Sequence, residues 1–341
     1  MKKKKGRERF ILPVSFFLLL LAILITGYGK EKNSISQNSL IAYSEKESSS
    51  DSDEDLGKSA TISANIGLED EFFHSASKEA FSITMLDVGQ GLSILIAADG
   101  HYMLYDGGGW DDSAYLMDYL QEKGITRLDY IVVSHYDEDH IGGLISLMHS
   151  LEVQEVLLPN YETDSKTYQA FTNELQEEKI KTRYPYKGDS YFLGEAQLSV
   201  LNPDFYDSDD ENNSSLVIKV AYGECSLLLT GDIQKEAEEK LLKDGENLES
   251  KILLLPHHGS ASSLSKEFLK AVSPAYVLIS VGKENEYGHP SSKSMNLLKE
   301  FELRMFRTDL QGEVSLIYDA KSHEIIESKH PCQDYSGRNF L

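Results

Sequence analysis

Short apolar runs separated by turn residues dominate the chain from about residue 79 onward. The first three runs cover residues 81–88, 92–97 and 102–105, and glycine-containing turns separate them. Runs of this length, rich in β-branched and aromatic side chains and bounded by turn residues, predict strands of a β-meander. Helical spacing of apolar residues at 114–122 and a further strand-like run at 128–133 follow.

Farther along the chain, helical and strand-like patterns alternate. The predicted helices cover residues 168–179, 234–242, 265–272 and 293–301. The predicted strands cover residues 153–158, 197–201, 216–221, 226–229, 252–255, 276–281 and 312–318. So many strands with flanking helices predict a layered α/β domain, in which sheets lie inside and helices cover their outer faces.

The N-terminal quarter has a different pattern. A basic start precedes an uncharged apolar run at residues 10–28. This combination predicts a signal anchor or a signal peptide over residues 1–29. The positive-inside rule then keeps the basic terminus in the cytoplasm and places everything after Lys30 outside it, either anchored to the cell membrane or secreted.

The composition of the rest of the chain separates a linker, a globular domain and a tail. Residues 30–78 are rich in serine and acidic side chains without a sustained apolar period, so they predict an acidic, disordered linker. The globular domain is expected over residues 79–325 and a polar tail over 326–341. The two cysteines, Cys225 and Cys332, are too few for a structural zinc site, and a buried free thiol at Cys225 is favoured over a disulfide.

The net charge of the chain bears on whether its partner is a nucleic acid. The formal net charge is −23, and no cluster of basic residues follows residue 30. Because lysine and arginine normally neutralise the phosphates of nucleic acids, this balance disfavours a long nucleic acid as partner without excluding it.

Four potential metal ligands lie within six residues in the segment SHYDEDHIGG. They are His135, Asp137, Asp139 and His140, and they directly follow the apolar run at 128–133. Carboxylates and imidazoles crowded at the end of a buried strand are poorly solvated, and bound divalent ions are the usual compensation. The pattern therefore favours a two-metal hydrolase over a solvated acidic loop.

Three further strand ends deliver similar side chains. Asp232 follows the run at 226–229, and the segment PHHGS after the run at 252–255 contains His257, His258 and Ser260. The segment YGHPS, which contains His289, comes shortly after the run at 276–281. Adjacent histidines at a strand end rarely serve packing, whereas His289 is as consistent with an ordinary loop as with a functional site.

Seven segments in a fixed order resemble the metallo-β-lactamase superfamily, and within it the hydrolase-like domain of ComEC competence proteins. The resemblance covers nearly all of residues 80–320. The matching segments are LDVGQG, YDGGG, SHYDEDHIGG, NNSSLV, LLTGD, PHHGS and YGHP.

The resemblance implies an αββα four-layer sandwich with two divalent metal ions between the sheets. It assigns His135 and Asp137 to one ion, Asp139 and His140 to the other, a bridging role to Asp232, and completion of the second site to His258. Its oxygen-rich ligand set is compatible with zinc or manganese, and with iron.

Two departures from the superfamily pattern concern the first ion. Asp137 stands where a histidine is usual, and no histidine lies between His149 and Asp232, where a further ligand is often found. Weak binding, or binding through water and Asn212 or Asn213, would follow.

Two ions about 3.5–4 Å apart hold a bridging hydroxide and clamp the reacting oxygens, which suits hydrolysis of phosphodiesters and other esters. His257 or His289 would protonate the leaving group or orient the substrate, and Asp139 counts as catalytic as well as ligating. Turn formation is the favoured role of Asp87 and Asp106. These two and three more residues are also candidates for contact with the substrate or support of the ligands: Asn212, Asn213 and Ser260.

Three functions remain open at this point. The first is hydrolysis of a phosphodiester, in nucleic acid or in a phosphorylated wall polymer or headgroup. The second is hydrolysis of a carboxylic ester, lactone or thioester, because the same hydroxide attacks carbonyl carbon. The third is a membrane-tethered binding or sensor domain with a structural metal site and no catalysis.

Overall fold

A computed structural model describes residues 81–335 of the chain. Within this range the strands are β1 (Phe81–Met85), β2 (Ile94–Ala98), β3 (His101–Tyr105), β4 (Arg127–Val132), β5 (Glu152–Leu157), β6 (Thr182–Arg183), β7 (Ser190–Leu193), β8 (Ala196–Asn202), β9 (Val217–Tyr222), β10 (Cys225–Leu229), β11 (Ile252–Leu254), β12 (Tyr276–Ile279), β13 (Arg304–Arg307), β14 (Val314–Asp319) and β15 (Glu324–Glu327).

The helices lie between these strands. They are α1 (Ser113–Glu122), α2 (Glu138–Ile141), α3 (Leu144–Ser150), α4 (Lys166–Glu177), α5 (Lys235–Asp244), α6 (Lys266–Val272), α7 (Ser292–Glu300) and α8 (Thr308–Gln311), with 3-10 turns at Trp110–Asp112 and Pro256–Gly259. Ser165, Ser265 and Ser291 accept a backbone N–H bond at the start of α4, α6 and α7. These serine caps satisfy amides that have no partner inside the helix.

Two mixed sheets form the centre of the fold. The first has the strand order β15-β14-β1-β2-β3-β4-β5-β6, and the second has the order β13-β12-β11-β10-β9-β8-β7. In the first sheet β3 to β6 run parallel, and in the second β10 to β13 do. Both parallel halves therefore end in loops at their carboxyl edges, where α/β folds commonly place their sites.

Alternation of side chains explains the layering. Ile94 and Ile96 on β2 belong to an apolar cluster shared by both sheets, whereas Leu95 belongs to a second cluster with α1, α3 and α4. A third cluster joins the second sheet to α5, α6 and α7. Because successive strand residues point to opposite faces, each sheet buries one face on the other sheet and one on helices. The predicted layered α/β sandwich is confirmed.

The sequence pattern missed several short elements. Strands β6, β7, β13 and β15 have two to four residues and carry polar or charged side chains, so their period-two signal is weak. The domain boundary predicted at residue 325 falls inside β15, and the fold continues to the backbone bond from Cys332 to Met305.

Segment predictions at the termini lie outside the described residues. These are the anchor or signal peptide at 1–29 and the linker at 30–78, together with the last residues of the predicted tail. Within 81–335, no helix combines the length and apolar character needed to cross a membrane.

Candidate metal centre

The first cluster of predicted ligands sits on a sharp turn after β4. After β4 the chain bends at Ser134, passes His135 and reaches Asp137, the extended N-cap residue of the single-turn helix α2. The carbonyl of Asp139 accepts a bond from the Leu92 amide at 3.1 Å. A Cβ on Gly91 would lie 2.6 Å from that same oxygen, so only glycine allows this close approach.

Asp106 holds the two buried histidines of this turn in place. Its Oδ1 accepts the Ser134 amide at 2.7 Å, and its Oδ2 accepts the Ser134 hydroxyl at 2.6 Å and lies 2.9 Å from His140 Nδ1. Ser134 Oγ in turn lies 2.9 Å from His135 Nδ1. The carboxylate of Asp106 can only accept, and the Ser134 hydroxyl already donates to it, so Nδ1 of each imidazole is placed to donate. Nε2 of each ring then faces the same space.

Asp232 enters from the other sheet, on the loop after β10. Gly231 precedes it with φ +53°, and a Cβ there would lie 2.8 Å from Ser134 and 2.9 Å from Ser215. The Ser215 hydroxyl accepts the Asp232 amide at 3.2 Å. Asp232 is therefore fixed by close backbone packing between the two sheet ends.

The carboxylate of Asp232 faces ligands in two directions. Its Oδ1 lies 3.5 Å from His140 Nε2, while its Oδ2 lies 3.6 Å from both His257 Nε2 and His258 Nε2. Burial acts to raise the pKa of this carboxyl, but the imidazoles of His140 and His258 outweigh burial and hold the pKa well below its usual range. Asp232 is thus an anion at the middle of the cluster.

His257 and His258 lie on the 3-10 turn that follows β11. Both adopt left-handed backbone conformations, with φ 52° at each residue. His258 Nδ1 lies 2.9 Å from the carbonyl of Ser280, and its Nε2 lies 3.6 Å from Asp139 Oδ2. Left-handed conformations at non-glycine residues cluster at functional sites, where surrounding contacts enforce them.

His289 joins the cluster through ring contacts. Its ring centroid lies 5.6 Å from that of His257 and 6.3 Å from that of His258, and the exposed ring of Tyr287 stacks on it at 5.7 Å. Burial, followed by the neighbouring imidazoles, lowers the pKa of His289 to about 4, and burial lowers that of His257 as well.

Four buried atoms at the centre of this arrangement have no hydrogen-bond partner among the described residues. They are His135 Nε2, His140 Nε2, Asp232 Oδ1 and His258 Nε2. Buried polar atoms are nearly always satisfied, and leaving one without a partner costs about 1–3 kcal/mol. A nitrogen and oxygen donor set of this kind fits a divalent metal ion, which supplies the missing partner.

The geometry groups the predicted ligands in two overlapping sets. Donor atoms of His135, His140 and Asp232 lie within 4.8 Å of one another, and so do those of Asp139, His140 and His258. Asp137 stands apart from both sets: its Oδ2 lies 3.3 Å from His135 Nε2, but its side chain is half exposed.

The other predicted residues have supporting or separate positions. Asp87 is exposed and accepts the Gly89 amide, as expected for a turn former. Asn213 does not offer its oxygen to the cluster, because Oδ1 accepts the Gln234 amide at 2.8 Å next to the start of α5. Asn212 closes a turn through its carbonyl, and Ser260 Oγ bonds to Ser262.

Sequence reasoning missed the serines that orient the ligands. Ser134, Ser215 and Ser280 act through a hydroxyl or a backbone carbonyl, and each is completely or almost completely buried. Ser134 lies in the segment SHYDEDHIGG and Ser215 in NNSSLV, so two of the three serines stood in segments that carry the resemblance without being assigned this role. Ser215 contacts Asp232 and Ser280 contacts His258. Both pairs are distant in sequence, so only the tertiary fold brings them together.

Residues 86–283 match the metallo-beta-lactamase superfamily. The chain therefore belongs to this superfamily, whose members are generally hydrolases that bind divalent metals. Its sequence relatives include competence proteins of the ComEC type.

Two of these relatives illustrate the extent of the match. ComE operon protein 3 of Bacillus subtilis (strain 168) is 29% identical over 90% of this chain, and competence protein ComA of Neisseria gonorrhoeae is 33% identical over 68%. The chain spans only 39% and 31% of the length of these proteins, respectively.

Solved structures with a similar arrangement include the metallo-beta-lactamase fold protein YhfI from Bacillus subtilis, with a TM-score of 0.47 and 13% identity. It covers 73% of this chain and matches over 100% of its own length. The metallo hydrolase Igni18 from Ignicoccus hospitalis has a TM-score of 0.46 and 15% identity, over 70% of this chain and 99% of its own.

Proposed function

We propose that this chain is a metal-dependent hydrolase that cleaves a phosphodiester at the centre built around Asp232. One observation carries the proposal. Three imidazoles, each held through Nδ1, and one buried carboxylate present unpartnered atoms to a single space between the two sheet ends. Such convergence is the usual form of a metal-hydrolase site.

The residues that would hold two ions follow from the donor sets. His135, His140 and Asp232 form one donor set, with Asp137 beside His135, while Asp139, His140 and His258 form the other, so His140 is common to both. The two oxygens of Asp232 point to different ligands, which suits a bridging carboxylate. When bound, divalent ions supply positive charge that activates water and stabilises charge on the phosphate oxygens. Zinc and manganese fit this mixed donor set, and iron also does.

The chain's own residues orient the substrate. His257 and His289 border the cluster, and Nδ1 of each is buried without a hydrogen-bond partner among residues 81–335. An N–H at these positions would donate to a phosphate oxygen or to the leaving group, a contribution of about 10²–10⁴ in rate. Asp139 would bind the second ion through its carboxylate, whose Oδ2 lies 3.6 Å from His258 Nε2.

Activity tests of the full chain would separate this proposal from the other hydrolase classes. With manganese or zinc added, we expect turnover of bis-p-nitrophenyl phosphate and no turnover of nitrocefin. Asp232→Asn should abolish the phosphodiesterase activity, whereas Asp87→Asn, a change at an exposed turn, should retain it. Preferential turnover of p-nitrophenyl acetate, or full activity of Asp232→Asn, would contradict the proposal.

We also propose that the hydrolase domain acts outside the cytoplasm. This rests on the basic and apolar pattern of residues 1–29. Protease added to intact cells should degrade the domain if residues 1–29 anchor it outward. Protection of the domain until the cells are lysed would contradict this location.

A further inference from the structure

A cavity lined by lysines lies near the starts of α5, α6 and α7. Its volume is about 420 Å³, and Lys235, Lys266 and Lys293 contribute to its walls. These lysines are far apart in sequence, so the chain shows no basic cluster there until it folds. None of the predicted metal ligands lines this lysine cavity. It is therefore a basic site apart from the metal centre.

Two of the three ammonium groups are neighbours without a carboxylate partner. Among residues 81–335, neither Lys235 nor Lys293 forms an ion pair with an aspartate or glutamate. Lys293 Nζ donates instead to the carbonyl of Ala261 at 2.6 Å. Burial, followed by the neighbouring Lys235, lowers the pKa of Lys293. Because like charges at short distance disfavour each other, an anion between these two lysines would stabilise both.

The carboxylates near the lysine cavity are engaged elsewhere or point to solvent. Glu300 forms an ion pair with Lys266 on the cavity wall. Glu238 is fully buried, and its two oxygens accept the backbone amides of residues 264–265 at 2.6 and 2.7 Å. Glu267 lines the wall and is exposed. The neighbouring lysine pair is thus left without a direct anionic partner from the protein.

The surroundings of the pair also favour an anion. Lys235 is the first residue of α5, and Lys293 is the second residue of α7. The N-terminal ends of helices carry partial positive charge, which adds to that of the lysines. Asn296, one turn later on α7, lines the cavity, and its side chain forms no hydrogen bond among residues 81–335. Two ammonium groups and one amide are therefore available as donors.

A phosphate group with two negative charges matches these donors. A phosphomonoester carries about −1.5 to −2 charges at pH 7 and has three strong acceptor oxygens. Lysine is a common partner of phosphate and binds it as a point charge. A phosphodiester carries a single charge and would leave one ammonium group unmatched. The lysine pair thus favours a terminal or free phosphate over a phosphodiester.

We propose that the lysine cavity binds a dianionic phosphate group, as inorganic phosphate or as the phosphomonoester of a lipid headgroup. This binding site goes beyond the proposed hydrolase function. The cavity borders the segment that directly follows His257 and His258. Lys293 contacts the carbonyl of Ala261, and the Lys235 amide donates to the carbonyl of Ser262 at 3.3 Å. A bound phosphate would hold this segment to α5 and α7.

Lysine labelling locates the binding in the full chain. The chain is treated briefly with acetic anhydride, with or without inorganic phosphate, at an ionic strength held constant with sodium chloride. Peptide mass spectrometry then measures acetylation of each lysine. At a phosphate concentration about ten times Kd, labelling of Lys235 and Lys293 should fall about tenfold, because only the unoccupied site reacts. Labelling of Lys270, exposed on α6 outside the cavity, should not change.

Two variants with opposite effects test the charges. Lys293→Gln removes a charge-assisted hydrogen bond and should raise the phosphate concentration that protects Lys235 at least about tenfold. Glu300→Gln releases Lys266 from its ion pair and removes a negative charge, so it should lower that concentration roughly two- to fivefold. Lys270→Gln is the matched control and should bind phosphate like the unaltered chain. Thermal unfolding checks that each variant is folded.

Vesicles distinguish the two sources of the phosphate group. Phosphatidylcholine vesicles containing phosphatidic acid present a phosphomonoester, whereas those containing phosphatidylglycerol present a phosphodiester. Protection of Lys235 and Lys293 by phosphatidic acid but not by phosphatidylglycerol would identify a lipid headgroup as an occupant. Protection by inorganic phosphate alone would identify the free ion.

Several results would overturn the assignment. These are labelling of Lys235 and Lys293 that neither inorganic phosphate nor phosphatidic acid reduces, equal protection of Lys270, and equal protection by phosphatidylglycerol. Unchanged affinity in folded Lys293→Gln, or no gain in affinity in Glu300→Gln, would also contradict it. Because labelling is read at the lysines, phosphate bound at the metal centre does not contribute. Absence of bis-p-nitrophenyl phosphate turnover would count against the proposed function and leave this result unaffected.

Discussion

His140 Nδ1 lies 2.9 Å from Asp106 Oδ2, and both side chains are completely buried. Asp106 was expected mainly to shape a turn, and its φ of 57° agrees with that role. The contact adds a second role, because it fixes which nitrogen of His140 faces the centre. Carboxylates that orient a ligating histidine in this way also increase the basicity of the ligand.

The first prediction concerns this pair. Asp106→Asn keeps the shape of the side chain but weakens the acceptor for His140, so metal affinity should fall about 10- to 100-fold. Competition with a chromophoric chelator measures this affinity. Asp129→Asn is a matched control, since Asp129 forms a similar pair with His101 away from the centre, at 3.1 Å. Equal metal affinity in both variants would show that Asp106 does not support metal binding through His140.

The second prediction concerns the strained turn at His257. Glycine adopts φ 52° without the steric penalty that other residues have, about 1–2 kcal/mol. His257→Gly should therefore be more stable than His257→Ala by about 1 kcal/mol in urea unfolding, after allowance for the greater chain entropy of glycine. Both variants should lose about 10²–10⁴ in turnover, because both remove the imidazole. An alanine variant as stable as the glycine variant would show that the turn is unstrained.

The third prediction concerns the two thiols, which are both free in the structure. Burial raises the pKa of Cys225 to about 11, whereas Cys332 is partly exposed. Since the thiolate is the reactive form, Cys225 should resist Ellman's reagent at pH 8 and react only after unfolding or at much higher pH. Cys332 should react in the folded protein. Rapid reaction of two thiols in the folded protein, or of none after unfolding, would contradict this assignment.

Much of the fold follows from the sequence because its main strands are long and apolar. The runs at 81–88 and 128–133 correspond to β1 and β4. The apolar residues of β1 lie in the cluster between the sheets, and β4 has residues both in that cluster and in the one under the helices. The edge strand β6 has two residues, and its pairing with Val156 and Leu157 comes from the tertiary fold. No period can be read from a strand that short.

The candidate site shows the same division between local and long-range information. His135, Asp139 and His140 lie within six residues, so their pattern alone predicts a metal site. Asn213 was offered as a substitute ligand from its chemistry, but the start of α5 uses its oxygen instead. Tyr161 packs on Tyr136 with ring centroids 4.9 Å apart although 25 residues separate the two, so no local spacing in the sequence announces this contact.

The central claim is that Asp232 and the histidines around it bind divalent ions. Metal content measured after equilibrating the full chain with manganese or zinc and removing free metal tests it most directly. We predict two ions per chain, retention of both in Asp87→Asn, and loss of at least one in Asp232→Asn. A folded chain that retains no metal, or an Asp232→Asn variant that binds the same amount with the same affinity, would contradict the account.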